Sequence, residues 1–154
     1  MLKLNTRIAV SLLALGAGVT FALAAGSVDD QIKTRQDEMK ANGQALGALV
    51  NIIRGQTAYD AAAVKTALDT MRAAIAASTA INAWDVSAQG GTIVSRAKPE
   101  VWSNAAGFAA AEQQLADALT GLEATSDEAG FKAAFPALGA ACKNCHEQFR
   151  AAEN

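Results

Sequence analysis

Apolar and small side chains recur at alternating steps of three and four along four stretches of this chain, a spacing that predicts α-helices with one buried face. The first predicted helix has Ser27 as its N-cap and ends near Gly55. Its inward stripe comprises Ile32, Met39, Gly43, Leu46, Val50 and Ile53. The second has Asp60 as its N-cap and fades by about Trp84. Its stripe comprises Val64, Leu68, Met71, Ile75 and Ser78.

The helical pattern breaks between positions 85 and 99, where two adjacent glycines and a proline indicate a long crossover loop. A third helix is predicted to start between positions 100 and 104. Its stripe comprises Phe108, Ala111, Leu115, Leu119 and Leu122. Ser126 is predicted to cap a fourth helix, which Pro136 should kink or restart. The stripe of this helix comprises Phe131, Phe135, Leu138, Cys142, Cys145 and Phe149.

No stretch shows the strict alternation of apolar and polar residues that is typical of a strand. Four helices without strands predict an all-α fold, and the natural arrangement is an antiparallel up-down-up-down four-helix bundle.

The N-terminal stretch has the pattern of a secretory signal peptide. Lys3 and Arg7 supply a positive start, an apolar run follows, and Ala22-Leu23-Ala24 is a small-x-small cleavage site. The run is near the shortest length that spans a membrane, so an anchor is the alternative, but the cleavage site favours export. We expect residues 1–24 to be removed and residues 25–154 to form the mature domain.

The net charge and the length of the mature chain limit its expected partners and its number of domains. Without Lys3 and Arg7 the 13 basic residues fall to 11 against 15 acidic ones, so the mature chain is mildly acidic and nucleic acid is not an expected partner. About 130 residues suffice for one domain with one core.

The segment Cys142-Lys143-Asn144-Cys145-His146 is the candidate chemical site. Positions i, i+3 and i+4 share one helix face, so the two thiols and the imidazole point the same way. This spacing is typical of covalent haem c attachment, one haem per chain, with the histidine as an iron ligand. Because the cysteines continue the apolar stripe of the fourth helix, we expect the haem in the bundle core.

Other interpretations of the two cysteines fit less well. A zinc site needs four ligands, and with no further Cys or His in the chain it would have to use two carboxylates. A redox disulfide of the Cys-x-x-Cys kind is expected after a strand in an α/β pattern, which is absent from the sequence. Two unbonded thiols fit an exported chain poorly. Covalent haem attachment in bacteria is completed outside the cytoplasmic membrane, so motif and signal peptide together predict a periplasmic protein.

The second axial position of the iron stays open on this evidence. His146 is the only histidine, so a second histidine ligand within one subunit is impossible. The sixth site is therefore methionine, something weaker, or empty.

Three segments together carry a family resemblance over essentially the whole mature chain. They are Cys142-Lys143-Asn144-Cys145-His146 with Phe149-Arg150, the pair Arg35 and Met39, and Lys98-Pro99-Glu100-Val101-Trp102. In these the chain resembles the cytochrome c prime family, the class II cytochromes c, including its low-spin methionine-ligated branch. The resemblance implies that His146 is the proximal ligand, that Arg35 approaches a haem propionate, and that Met39 lies over the distal face. It also implies that Arg150 lies near the proximal histidine.

The bland alternatives for these residues are a solvated charge for Arg35, a core filler for Met39, a surface charge for Arg150, and simple packing for Trp84 and Trp102. The family contains high-spin members with an open site for NO or CO and low-spin members in which methionine binds the iron. Met39 is compatible with both.

The sequence leaves two haem hypotheses for the function, and a haem-free structural bundle is a third class that covalent haem absorbance would exclude. The first is a periplasmic haem protein that carries single electrons to and from a partner protein that the sequence does not identify. The second is NO or CO binding at an open distal site. No catalytic constellation accompanies the motif, so we do not expect an enzyme. The resemblance also implies a homodimer through the first two helices.

Overall fold

Five helices lie in residues 26–85 and 89–152, the part of the chain that this computed structural model describes. The four long ones are α1 (Val28–Ile53), α2 (Ala61–Ala80), α4 (Ala105–Glu123) and α5 (Glu128–Phe149). A single turn, α3 (Glu100–Ser103), precedes α4. The predicted all-α four-helix bundle is confirmed. The predicted signal peptide at 1–24 lies outside the described residues.

The helix starts are set by side chains that satisfy free backbone amides. Ser27 accepts a hydrogen bond from the Asp30 amide (3.1 Å) while the Asp30 carboxylate accepts one from the Ser27 amide (3.0 Å), which forms a capping box. Asp60 accepts from the Ala62 amide at 2.7 Å. Both predicted caps are confirmed.

The fourth predicted helix begins differently from our expectation. Asp127, not Ser126, is the N-cap of α5, because its carboxylate accepts a hydrogen bond from the Gly130 amide at 2.8 Å. The predicted restart at Pro136 is also wrong, since α5 runs through this residue without interruption. Because proline has no N–H, the Lys132 carbonyl four residues earlier cannot accept a hydrogen bond from Pro136. Both residues are exposed, so water can hydrate this carbonyl.

The buried face of α1 differs from the predicted stripe. Met39 and Gly43 are exposed, although we placed them on the inward face. The face that is buried comprises Gln31, Ile32, Arg35, Glu38, Ala45, Leu49 and Ile52. The periodicity argument assigned only apolar and small residues to the buried face. In the structure two charged side chains, Arg35 and Glu38, occupy interior positions.

The bundle is built from two helix pairs, α1 with α2 and α4 with α5. Between them lies the main core, which comprises Ala45, Leu49, Ile52, Val64, Ala67, Leu68, Met71, Ala118, Leu119, Leu122, Phe131, Leu138 and Ala141. A second cluster comprises Val101, Phe108, Ala111 and Phe149, with Trp84, Ala97, Trp102 and Cys145 packed against it. Among the described helices we find none with both the length and the apolarity needed to cross a bilayer.

The crossover segment, residues 89–99, is fastened to the start of α1. The Asp29 carboxylate accepts hydrogen bonds from the amides of Thr92 (2.7 Å) and Ile93 (3.1 Å) and from the Thr92 hydroxyl. Gly91 has φ +92°, and a Cβ there would lie 2.5 Å from Asp29 Oδ1, so a glycine is required for this approach.

The same segment is also fastened to the end of α5. The Lys98 amide donates to the Phe149 carbonyl at 2.9 Å, and the Ala151 amide donates to the Arg96 carbonyl at 2.8 Å. The crossover segment therefore joins the beginning of α1 to the end of the helix that carries the two cysteines.

Candidate functional site

The two cysteines and the histidine lie one turn apart near the end of α5. Cys142 and Cys145 are half-buried and do not form a disulfide, and His146 is exposed. Cys142 packs against the main core, whereas Cys145 packs against the second cluster. The predicted attachment residues therefore lie where the two apolar clusters meet, at the interior edge of the helix.

Desolvation shifts the pKa of all three side chains, and nearby charges act on Cys145 and His146. Burial raises the pKa of the Cys142 thiol. Burial also raises the pKa of Cys145, and the carboxylate of Glu112 adds to the effect, so both thiols are protonated at neutral pH. Partial desolvation of the imidazole, and then the charges of Arg150 and Arg96, lower the pKa of His146. The imidazole is therefore neutral at pH 7, the form in which one ring nitrogen carries a free lone pair. The charge of Arg150 is therefore one of those that act on His146.

Arg35 lies inside the protein and not in solvent. Its side chain is 4% exposed, and its guanidinium carbon is 5.0 Å from the ring centroid of Trp84 and 5.6 Å from that of Trp102. Burial lowers its pKa, but the guanidinium stays charged at any physiological pH. The alternative that Arg35 is a solvated charge is excluded.

Met39 has a different environment from Arg35, although it follows one turn later on α1. It is 38% exposed and belongs to neither apolar cluster. The alternative that Met39 is a core filler is therefore wrong. Its thioether is accessible at the surface of α1.

Sequence reasoning missed two acidic residues near the thiols. Glu38 is 7% exposed, and burial raises its pKa. Burial and the charge of Glu38 raise the pKa of Glu112 on α4, and both carboxyls act on Cys145. The signal was the spacing of Glu38 three residues after Arg35, which places both on one face of α1. This spacing did not suggest a buried pair, because charged residues are normally expected to face solvent.

The side chains present fit a covalently bound haem better than the alternatives. Two protonated, unpaired thiols and a neutral imidazole share one turn of helix, and the buried guanidinium of Arg35 suits a carboxylate group. In the described part of the chain no three His, Cys, Asp or Glu side chains cluster in a way that could hold a metal ion. Among the residues that the structure describes, a zinc site would therefore lack ligands.

Comparison with known proteins gives a consistent result. A family model described as cytochrome c′ matches residues 30–150. Cytochrome c′ of Alcaligenes xylosoxydans xylosoxydans is 32% identical over 125 residues, which cover 79% of this chain and 94% of that protein. Cytochrome c-556 of Agrobacterium fabrum is 36% identical over 154 residues, 97% of each chain.

Solved structures agree with these relatives. A nitric oxide complex of a cytochrome c prime variant from Alcaligenes xylosoxidans has a TM-score of 0.72 at 30% identity, and it covers 83% of this chain and 98% of that one. Cytochrome c′ from Rubrivivax gelatinosus has a TM-score of 0.72 at 31% identity, and it covers 80% and 97%.

A four-helix bundle whose last helix presents two thiols and a histidine in this spacing defines a class of protein, the helical c-type haem proteins. Within that class the fold, the matched family model and the relatives agree. The chain belongs to the cytochrome c′ family, whose members carry covalently attached haem c. The predicted family and cofactor are confirmed.

Proposed function

We propose that this haem c protein carries single electrons, with thioether bonds at Cys142 and Cys145 and with His146 as the proximal iron ligand. The observation that carries the proposal is the position of the three side chains on one turn of α5, at the junction of the two apolar clusters. The bound haem would supply the iron that changes between its ferrous and ferric states. The chain supplies attachment, a neutral imidazole and an apolar surround.

Other residues have supporting roles in this proposal. Met39 would supply a thioether ligand to the haem iron, and the chain has no second histidine that could do so instead. Arg35 donates to a haem carboxylate from its buried position. Arg150, whose charge acts on His146, tunes the proximal side. We propose no catalytic residue.

A second candidate function is the binding of NO or CO at an open distal position. The observation that favours it is the structural neighbour solved as a nitric oxide complex. In this alternative Met39 shields the iron and does not bind it. The exposed position of Met39 allows either role.

Absorption spectra separate the two functions. We would express the full chain with export and record ferric and ferrous spectra before and after adding CO. A low-spin ferrous spectrum unmoved by CO supports Met39 ligation and electron transfer. A high-spin spectrum that shifts with CO supports gas binding. Cys142→Ala and Cys145→Ala should each weaken covalent attachment, with Ser126→Ala, an exposed residue just before the N-cap of α5, as a control remote from the thiols. A colourless parent protein refutes both functions.

Export and assembly belong to the same proposal. We propose that residues 1–24 are removed and that residues 25–154 work in the periplasm, which the mass of the protein from a periplasmic extract tests directly.

We also propose a homodimer through α1 and α2, whose shared groove is lined by small residues including Ala41, Ala73 and Ala77. Sedimentation as a monomer at micromolar concentration would contradict the dimer. The redox partner is a separate protein, still to be identified.

A further inference from the structure

Two tryptophans enclose the guanidinium of Arg35. The Arg35 guanidinium carbon lies over both indole rings, at 5.0 Å from the Trp84 centroid and 5.6 Å from the Trp102 centroid. A buried cation is costly, and contact with the electron-rich face of an indole offsets part of this cost. We call Arg35, Trp84 and Trp102 the arginine cage.

The two rings of the arginine cage are themselves held in place. The Trp102 indole N–H donates to the Asp85 carbonyl at 2.8 Å. The Trp84 ring packs on Phe108 at 5.0 Å, and Phe108 packs edge to face on Phe149 at 5.2 Å. Since Phe149 lies on α5, three residues after the histidine, the cage is connected by contacts to the helix that carries the attachment residues.

We propose that Trp84 and Trp102 are positioning residues that hold the Arg35 guanidinium in a fixed place for a haem carboxylate. This inference rests on the proposed function and adds to it two residues that act through Arg35. An aromatic face attracts the positive charge of a guanidinium but accepts no conventional hydrogen bond, so the two indole rings hold Arg35 without competing with oxygen acceptors for its N–H groups. A guanidinium in a fixed orientation favours the planar, two-point contact that a carboxylate offers.

The reduction potential of the haem reports on this arrangement. A positive charge held near the haem favours the ferrous state, whose net charge is one unit lower than that of the ferric state. Arg35→Gln should therefore shift the ferrous/ferric ratio at a given potential by about tenfold toward ferric, or about 59 mV for one electron. Trp102→Leu should shift it in the same direction by about threefold, or about 28 mV, because the charge is retained but less well held.

A double-mutant cycle tests whether Trp102 acts through Arg35. We would measure potentials of the haem-loaded parent, Arg35→Gln, Trp102→Leu and the double variant, with far-UV circular dichroism to confirm folding. We expect Trp102→Leu to have no further effect once Arg35 is glutamine. Tyr59→Leu is the matched control, since Tyr59 is a half-buried aromatic residue at the opposite end of α2 from Trp84. Its potential should equal that of the parent.

Trp102→Phe keeps an aromatic face but lacks the N–H that donates to Asp85. It should retain most of the parental potential, and it keeps the test available if the leucine variant does not fold. Equal shifts for the phenylalanine and leucine variants would overturn the inference, because the hydrogen bond to Asp85 would then be the cause. Additive shifts of Trp102→Leu and Arg35→Gln would overturn it too. A parent without covalent haem would overturn the proposed function instead.

Discussion

Phe149, the last residue of α5, is buried in the second cluster. Its exchange for leucine tests whether aromatic packing fixes the end of α5 against α4. Its ring meets that of Phe108 at 87° with centroids 5.2 Å apart, and the side chain is 4% exposed. Leucine keeps a buried apolar side chain but removes the ring pair. The helix end that carries His146 would then lose this ring contact with α4.

The magnitude follows from this geometry. An edge-to-face aromatic pair contributes about 0.5–1.5 kcal/mol beyond the area that it buries, and a buried exchange of similar volume costs up to about 1.5 kcal/mol more. We expect Phe149→Leu to lower the free energy of unfolding by about 2 kcal/mol. Phe108→Leu breaks the same pair, so the double variant should lose about 0.5–1.5 kcal/mol less than the two single losses together.

Unfolding of the haem-loaded protein in guanidinium chloride, followed by far-UV circular dichroism, measures these losses. Tyr59→Leu is again a control, because it removes a ring from a different aromatic pair, with Phe131. Strictly additive losses for Phe108→Leu and Phe149→Leu would refute the idea that the rings act as a pair. A loss below about 0.5 kcal/mol for Phe149→Leu would refute the packing argument as a whole.

Three further predictions concern α1 and the crossover segment. Met39→Leu should let ferrous protein bind CO more tightly than the parent, and an unchanged CO titration would contradict a Met39–iron bond. Hydrogen bonds, from the Thr92 side chain first, lower the pKa of Asp29, so the carboxylate stabilises the fold above its ordinary pKa of 3.8 and this contribution is lost as the pH falls. The stability advantage of the parent over Asp29→Ala in urea should therefore shrink between about pH 7 and about pH 3, and an advantage that grows in acid would contradict this. Gly91→Ala should lower the free energy of unfolding by about 1–3 kcal/mol because position 91 has a positive φ. Gly43→Ala should raise stability, because a Cβ at this position in α1 meets open space. Equal effects of the two variants on thermal unfolding would show that the close approach at Gly91 is unimportant.

The helices could be predicted from the sequence because the residues that start them act on backbone groups only a few positions away. Ser27 and Asp60 cap their helices through amides two or three residues ahead, so sequence spacing alone finds them. The cap of α5 was misplaced by one residue, since Ser126 and Asp127 are both good capping residues and only the backbone geometry selects between them. The predicted attachment residues also follow from local spacing, because three chemical groups share one turn.

The inner face of α1 could not be predicted in the same way. Arg35 and Glu38 look like solvent-facing charges in the sequence, and Met39 looks like a core residue, yet the structure reverses these positions. The reversal depends on Trp84 and Trp102, which come from after α2 and from α3. Periodicity correctly placed Ile32 inside and Leu46 and Ile53 against the core, but it could not identify the charged residues that distant segments enclose.

The crossover segment also has a consequence for the order of folding. Each helix pair closes across a short turn, so α1 with α2 and α4 with α5 can form early and fast. The hydrogen bonds of Asp29 join residues 63 and 64 apart in sequence, and such distant contacts form late. The thiols lie on α5, the last of the described helices in chain order, and the crossover segment joins the end of this helix to the start of α1. We expect the thiols to remain accessible to covalent modification until the crossover segment docks.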